Sequence, residues 1–260
     1  MNKKKILMSI VGLLIIAIGL SSAYYKTITD KDNSVDTSTV SDKTENVNKY
    51  QDIIDEYDTN KAINAEFTGF IRFESGIIDE PFVLPKDDDI IEAYDKYLRT
   101  AWDTMSEDPE GTVFMDPYNT LDDQNLVLYG HYVYPSYEPS MTHMFTPLHL
   151  LKDEKNYEEN RFIDLIFENE IRRYEVAHVY YARLYDDENI LEEGMEYMYT
   201  SFDSEGLEYY LKRVKEEEFY NTGVEIGADD RFLTLQTCVE DHDELRLIIV
   251  AKEIEIIKTR

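Results

Sequence analysis

The chain reads as mainly β: a closed or nearly closed barrel of about eight strands, decorated by helices. Three observations predict this. Seven or eight runs rich in Val, Ile, Leu, Phe and Tyr are separated by turn signals. Few stretches keep helical spacing, and strands are not regularly followed by helices, which excludes a doubly wound parallel sheet.

The first element past the polar N-terminal region is a short amphipathic helix over 48–63, with Ile53, Ile54, Tyr57, Ala62 and Ile63 among charges. Phe67 to Phe73 and Ile77 to Leu84 have the aromatic and β-branched content of strands, with Glu74-Ser75-Gly76 as the turn between them. Helical spacing returns from Asp89 to Trp102 through Ile90, Ile91, Tyr94 and Leu98, and Asp87 or Asp88 is placed to cap it. Gly111 to Met115 and Asn125 to Tyr129 are two further strands around the turn-rich Asp116 to Thr120. Phe162 to Phe167 and Ile171 to Leu184 flank Glu168-Asn169-Glu170 as a long hairpin. A helix follows over Ser204 to Tyr220, where Leu207, Tyr210, Leu211 and Val214 form an apolar stripe against Lys and Glu. Phe232 to Thr237 and Leu245 to Ile257 close the chain as strands.

The ends divide the chain into three. Residues 1–25 read as an N-terminal membrane anchor: three lysines precede the apolar run Ile6 to Leu20, and Tyr24 and Tyr25 sit where an interface would fall. The lysines keep to the cytoplasmic side, so the rest of the chain faces outward in a single-pass arrangement. Ser21-Ser22-Ala23 also reads as a signal-peptidase site; the length of the apolar run and the tyrosines after it favour a retained anchor. Residues 26–49 are polar, with little to bury, and read as an extracellular stalk. Residues 50–260 are long enough for one domain with a sizeable core. A net charge of −29, from 55 carboxylates against 26 cations, argues against nucleic acid or an anionic lipid surface as partner. No phosphate-binding or dinucleotide glycine signature is present, so nothing supports a nucleotide-using enzyme.

One cysteine, Cys238, permits no intrachain disulfide and no thiolate metal cluster. It ends the apolar run Thr234-Leu235-Gln236-Thr237-Cys238, and Arg246 opens the next strand. If the short loop Val239 to Glu244 joins adjacent antiparallel strands, Arg246 lies beside the thiol. His131 follows the buried run Leu126 to Gly130, so its imidazole emerges at the sheet rim. A thiol, an imidazole and a guanidinium are the parts of nucleophilic acyl transfer: nucleophile, proton carrier and oxyanion donor. At ordinary pKa values of about 8.5 and 6.5, roughly one thiol–imidazole pair in a hundred is thiolate with imidazolium, and the acidic loop Glu240 to Glu244 opposes the thiolate further. His143 and His149 lie six apart, which fits no short zinc pattern and reads as packing or loop contacts. His178 reads as structural, and His242 is near enough to Cys238 in sequence to serve as a second base.

Thr234-Leu235-x-Thr237-Cys238, an arginine on the following strand and Tyr129-Gly130-His131 far upstream together resemble the sortases. Class B is the nearest likeness, through the extra N-terminal helical sequence, the helix Ser204 to Tyr220 before the cysteine strand, Phe67 to Ile71, and Met144-Phe145-Thr146-Pro147-Leu148. The likeness runs from about Tyr50 to Ile257. The chain departs from it between Tyr132 and His143, a segment longer and richer in Tyr and Pro than usual, with Tyr132 where asparagine is common. The resemblance implies a sortase-type barrel and a transpeptidase that cuts a sorting signal of Asn-Pro-x-Thr or Leu-Pro-x-Thr-Gly type after threonine, passing the acyl group to a peptidoglycan-precursor or pilin amine. It implies Cys238 as nucleophile, His131 as acid and base, Arg246 as oxyanion donor, Leu235 and Thr237 as substrate contacts, and neither cofactor nor metal in the chemistry. Acidic loops bind calcium in some sortases, and Asp186-Asp187-Glu188, Glu192-Glu193 and Asp229-Asp230 are candidates here without EF-hand spacing. Two other readings remain open on the residues: a cysteine peptidase releasing the acyl group to water, and a non-enzymatic acidic wall-facing binding module with Cys238 packed at a strand end.

Overall fold

A computed structural model describes residues 50–133, 143–183, 196–240 and 242–259. Residues 1–25 and 26–49, the acidic runs at 186–188 and 192–193, and most of the Tyr132 to His143 segment lie outside the described residues.

Eight strands close into a barrel, as the alternation of apolar runs and turns requires: β1 (Phe67–Phe73), β2 (Asp79–Val83), β3 (Val113–Met115), β4 (Asn125–Tyr129), β5 (Phe162–Ile166), β6 (Glu170–Arg183), β7 (Phe232–Val239) and β8 (His242–Lys258). Their order around the barrel is β1-β2-β3-β4-β7-β8-β6-β5. Two contacts are parallel, β2 with β3 and β4 with β7, and the rest are antiparallel. Alternate residues face the interior, where Leu126 and Leu128 of β4, Leu233 and Leu235 of β7, and Leu247 and Ile249 of β8 are buried together.

Helix α1 (Gln51–Ile63) buries Ile53 and Ile54 against Ile166, Ile171 and Ile257. Helix α2 (Ile90–Lys96) is shorter than the spacing predicts and is capped by Asp89, whose side chain accepts from the Ile91 amide. It stops because Tyr97 turns fully inward, donating its hydroxyl to Glu66 at 2.6 Å, while the Tyr97 carbonyl accepts from the Thr112 amide at 2.9 Å. Gly111 makes that approach possible: its φ is +64°, and a Cβ there would lie 2.4 Å from the Tyr97 oxygen. A single short turn, α3 (Tyr157–Asn160), precedes β5. Helix α4 (Ser204–Glu217) is capped by Asp203, which accepts from the Gly206 amide at 2.7 Å. Its stripe Leu207, Tyr210 and Val214 packs on the outer face of β6 at Ala177, Tyr180 and Ala182, in one cluster with Phe232, Ile248 and Val250 of β7 and β8. Among the described residues no helix is long and apolar enough to cross a membrane.

Candidate active site

The site follows from strand parity and register. On β7, Leu233 and Leu235 face the interior, so Cys238 projects outward with Phe232, Thr234 and Gln236. On β8, Leu247 and Ile249 face in and Ile248 and Val250 face out, which puts Arg246 on the same outer face. The antiparallel register pairs Cys238 with Arg246 directly, as the short connection predicts. On the other side of β7, parallel β4 runs in step from Asn125↔Phe232 to Tyr129↔Gln236. Beyond the strand the Gly130 amide still bonds the Gln236 carbonyl at 3.2 Å, so the chain stays beside β7 up to the residue before His131. Val127 and Tyr129 lie outside the interior cluster, so His131 emerges on their face. Cys238 and Arg246 therefore share one face of adjacent strands, and His131 follows the end of the neighbouring strand β4.

Cys238 is half-buried, as are His131 and Arg246. His131 Nε2 donates to the Leu98 carbonyl at 2.7 Å, which ties the ring to the segment after α2. The backbone on either side of it is close-packed: a Cβ on Gly130 would lie 2.6 Å from the Phe145 ring, and the Phe145 amide bonds the His131 carbonyl at 3.1 Å. Glycine before the histidine is thus a packing requirement. Arg246 Nη1 donates to the carbonyls of Asp243 and Leu245, both at 2.8 Å, so the guanidinium is held over its own turn.

Tyr197, which the sequence did not single out, is fully buried on the same side of the barrel. Burial pushes its phenol up, the Arg246 guanidinium pulls it down and the Cys238 sulfur pushes it up. Fully buried Asn125 fixes this segment by donating to the Tyr197 and Tyr199 carbonyls at 3.1 and 2.8 Å, while Glu196 pairs with Arg213 of α4 at 2.8 Å. No local pattern marks Tyr197; only the fold brings it here.

Leu235 and Thr237 need correcting as substrate contacts. Both have the interior parity of β7 and are buried at 0% and 1% exposure, so a peptide lying over Cys238 meets the opposite face of the strand. The remaining histidines are engaged elsewhere: His143 with Glu110 at 3.0 Å, His178 with Glu218 at 2.6 Å and exposed His242 with Glu244 at 3.6 Å. His149 Nε2 reaches the Cys238 carbonyl at 2.9 Å. Of the acidic pairs suggested for calcium, Asp230 is taken up by Lys252 at 2.7 Å and by the Gly227 amide at 2.6 Å.

No protein-family model matches the chain. The solved structure of Clostridium perfringens sortase B is similar to it at 30% identity, covering 76% of this chain and 99% of that one with a TM-score of 0.61. The curated sortase B of Staphylococcus aureus is 24% identical over 206 residues, 77% of this chain and 75% of the relative. A Staphylococcus aureus sortase B–substrate complex shares the fold at 23% identity, covering 84% of this chain and 94% of that one with a TM-score of 0.64.

Proposed function

We propose a course for the reaction from the premise that this chain belongs to the sortase family, class B, and is a cysteine transpeptidase. The enzyme takes a sorting-signal peptide, cuts it after threonine and joins the new acyl end to an amine of a peptidoglycan precursor or pilin. The observation that supports this reading is the direct cross-strand pairing of Cys238 with Arg246, with His131 just past the end of the neighbouring strand β4. Cys238 Sγ attacks the threonine carbonyl, forming a C–S bond; the tetrahedral intermediate expels the amine of the next residue, which takes a proton from the His131 imidazolium. The incoming amine then gives a proton to neutral His131 as it attacks the thioester and releases the thiolate. Arg246 donates to the oxyanion in both halves. The Staphylococcus aureus sortase B of like fold is solved as a substrate complex, which supports a donor-substrate site in this chain.

The placement of the domain is part of the proposal: residues 1–25 anchor the chain as a single membrane pass, residues 26–49 are the stalk, and residues 50–260 work on the extracellular side. The test is a screen of Asn-Pro-x-Thr and Leu-Pro-x-Thr-Gly peptides with triglycine as acceptor. A thioester at Cys238 by mass, with product diverted to the triglycine adduct, is the expected result. Product formed by hydrolysis alone, indifferent to the acceptor, would replace this reading with the peptidase.

Arg246→Ala is expected to lower kcat about 10²- to 10³-fold, the loss typical of removing one oxyanion donor, with less change in KM. Its side chain is half-exposed at the start of β8, so the domain should still fold. Wild-type kcat in the purified variant would remove Arg246 from the mechanism.

A further inference from the structure

We infer that His149 is a positioning residue for Cys238, its imidazole standing in for a backbone amide that the neighbouring strands do not supply at the nucleophile among the described residues. In a strand, the N–H and C=O of every second residue point to the same neighbour. The Gln236 carbonyl accepts from Gly130 at the end of β4, so the Cys238 carbonyl points toward the same side. A continued parallel ladder would next offer it the amide of residue 132. Strand β4 ends at Tyr129, however, and the chain turns away: the His131 carbonyl is taken by Phe145, and the Val133 amide donates to Thr146 Oγ1 at 2.7 Å. On the other side of β7, the pairing with β8 shifts register between Cys238 and Val239. The nucleophile thus sits where both ladders lose their regularity.

His149 fills the missing rung. It lies in the 3-10 turn Thr146–Lys152, and its Nε2 is 2.9 Å from the Cys238 oxygen. A carbonyl only accepts, so Nε2 carries the proton and the tautomer is fixed. The ring packs against Tyr132, with centroids 4.5 Å apart, and the Tyr132 hydroxyl donates to Glu240 Oε2 at 3.2 Å, which ties the turn to the residues just past the nucleophile. Burial pushes the imidazole down to about 4; the Cys238 carbonyl opposes this and Lys152 adds to it, so the ring remains a neutral donor at working pH. The bond holds the peptide plane that carries Cα of Cys238 and hence the direction of Sγ. Small misplacement of a reacting atom is costly in rate.

This inference rests on Cys238 being the nucleophile, and the experiment separates the two. His149→Phe keeps a flat ring and loses the donor; His149→Gln keeps an N–H at nearly the same reach. With a cleavable sorting-signal peptide and triglycine, kcat for His149→Phe is expected to fall about tenfold or more with KM within about twofold, and His149→Gln to recover most of it. Thioester formation at Cys238 should slow in parallel. Wild-type kcat in His149→Phe, or equal losses in Phe and Gln variants that track a drop in Tm, would overturn the inference. If His149→Phe does not fold, His149→Met against His149→Gln is judged by the same criterion. Full activity in Cys238→Ala would instead overturn the reading on which it rests.

Discussion

Cys238→Ala is expected to abolish acyl transfer, by about 10⁴-fold or more, and to leave the barrel standing. The rate loss follows from covalent catalysis: without Sγ there is no thioester, and the remaining oxyanion donor and peptide-binding surface can only assist a far slower attack by another nucleophile. The small structural cost follows from position. Cys238 is half-buried on the outer face near the end of β7, whereas the core beside it is made by Leu235 and Thr237 from the other face. Its backbone partners, the Arg246 pairing and the His149 bond to its carbonyl, do not involve the sulfur. Removing one half-exposed atom should therefore cost within about 1 kcal/mol of stability. Intact mass after incubation with donor peptide, together with thermal unfolding, checks both halves. A variant that unfolds like the wild type and still forms product would deny the thiol its role, and the rim would need another nucleophile.

What was legible in the sequence was what is local. Apolar runs bounded by turn residues marked every strand, and the long stripe of α4 marked its covered face. The short β7–β8 connection was enough to set Arg246 beside Cys238. Three things were misread or missed, each for a physical reason. Helix α2 was drawn too long because Leu98 and Trp102 keep its period, yet Tyr97 has its carbonyl bonded to Thr112, a contact from a distant part of the chain. Leu235 and Thr237 were assigned to substrate because the motif contains them, although period two already set them on the opposite side from Cys238. His149 and Tyr197 were not assigned to the site because their meaning depends on where β4 stops and on what covers β7, and neither is written in a window of neighbouring residues. The parallel step of β4 beside β7, which carries the chain toward His131, is likewise a product of barrel closure.

His131→Ala is expected to be as damaging to turnover as loss of the thiol, with a different signature. An imidazole beside a thiol does two jobs: it takes a proton so that the thiolate forms, and it gives one to the amine that leaves. The first job can be done by solvent. A thiol at a pH well above the ordinary thiol range needs no base nearby to react, so alkylation by iodoacetamide should proceed in His131→Ala at pH 9.5. The second job cannot be done that way, because hydroxide removes protons and the departing amine needs one. Transpeptidation by His131→Ala should therefore stay at background at pH 7 and at pH 9.5, even where the sulfur is fully reactive. Folding is not the cause, since the His131 side chain bonds outward to the Leu98 carbonyl while Gly130 and Phe145 hold the turn through backbone and ring packing. Recovery of peptide transfer in step with alkylation would show that deprotonation was the only service the imidazole renders. The acid for the leaving amine would then have to come from another group near the thiol.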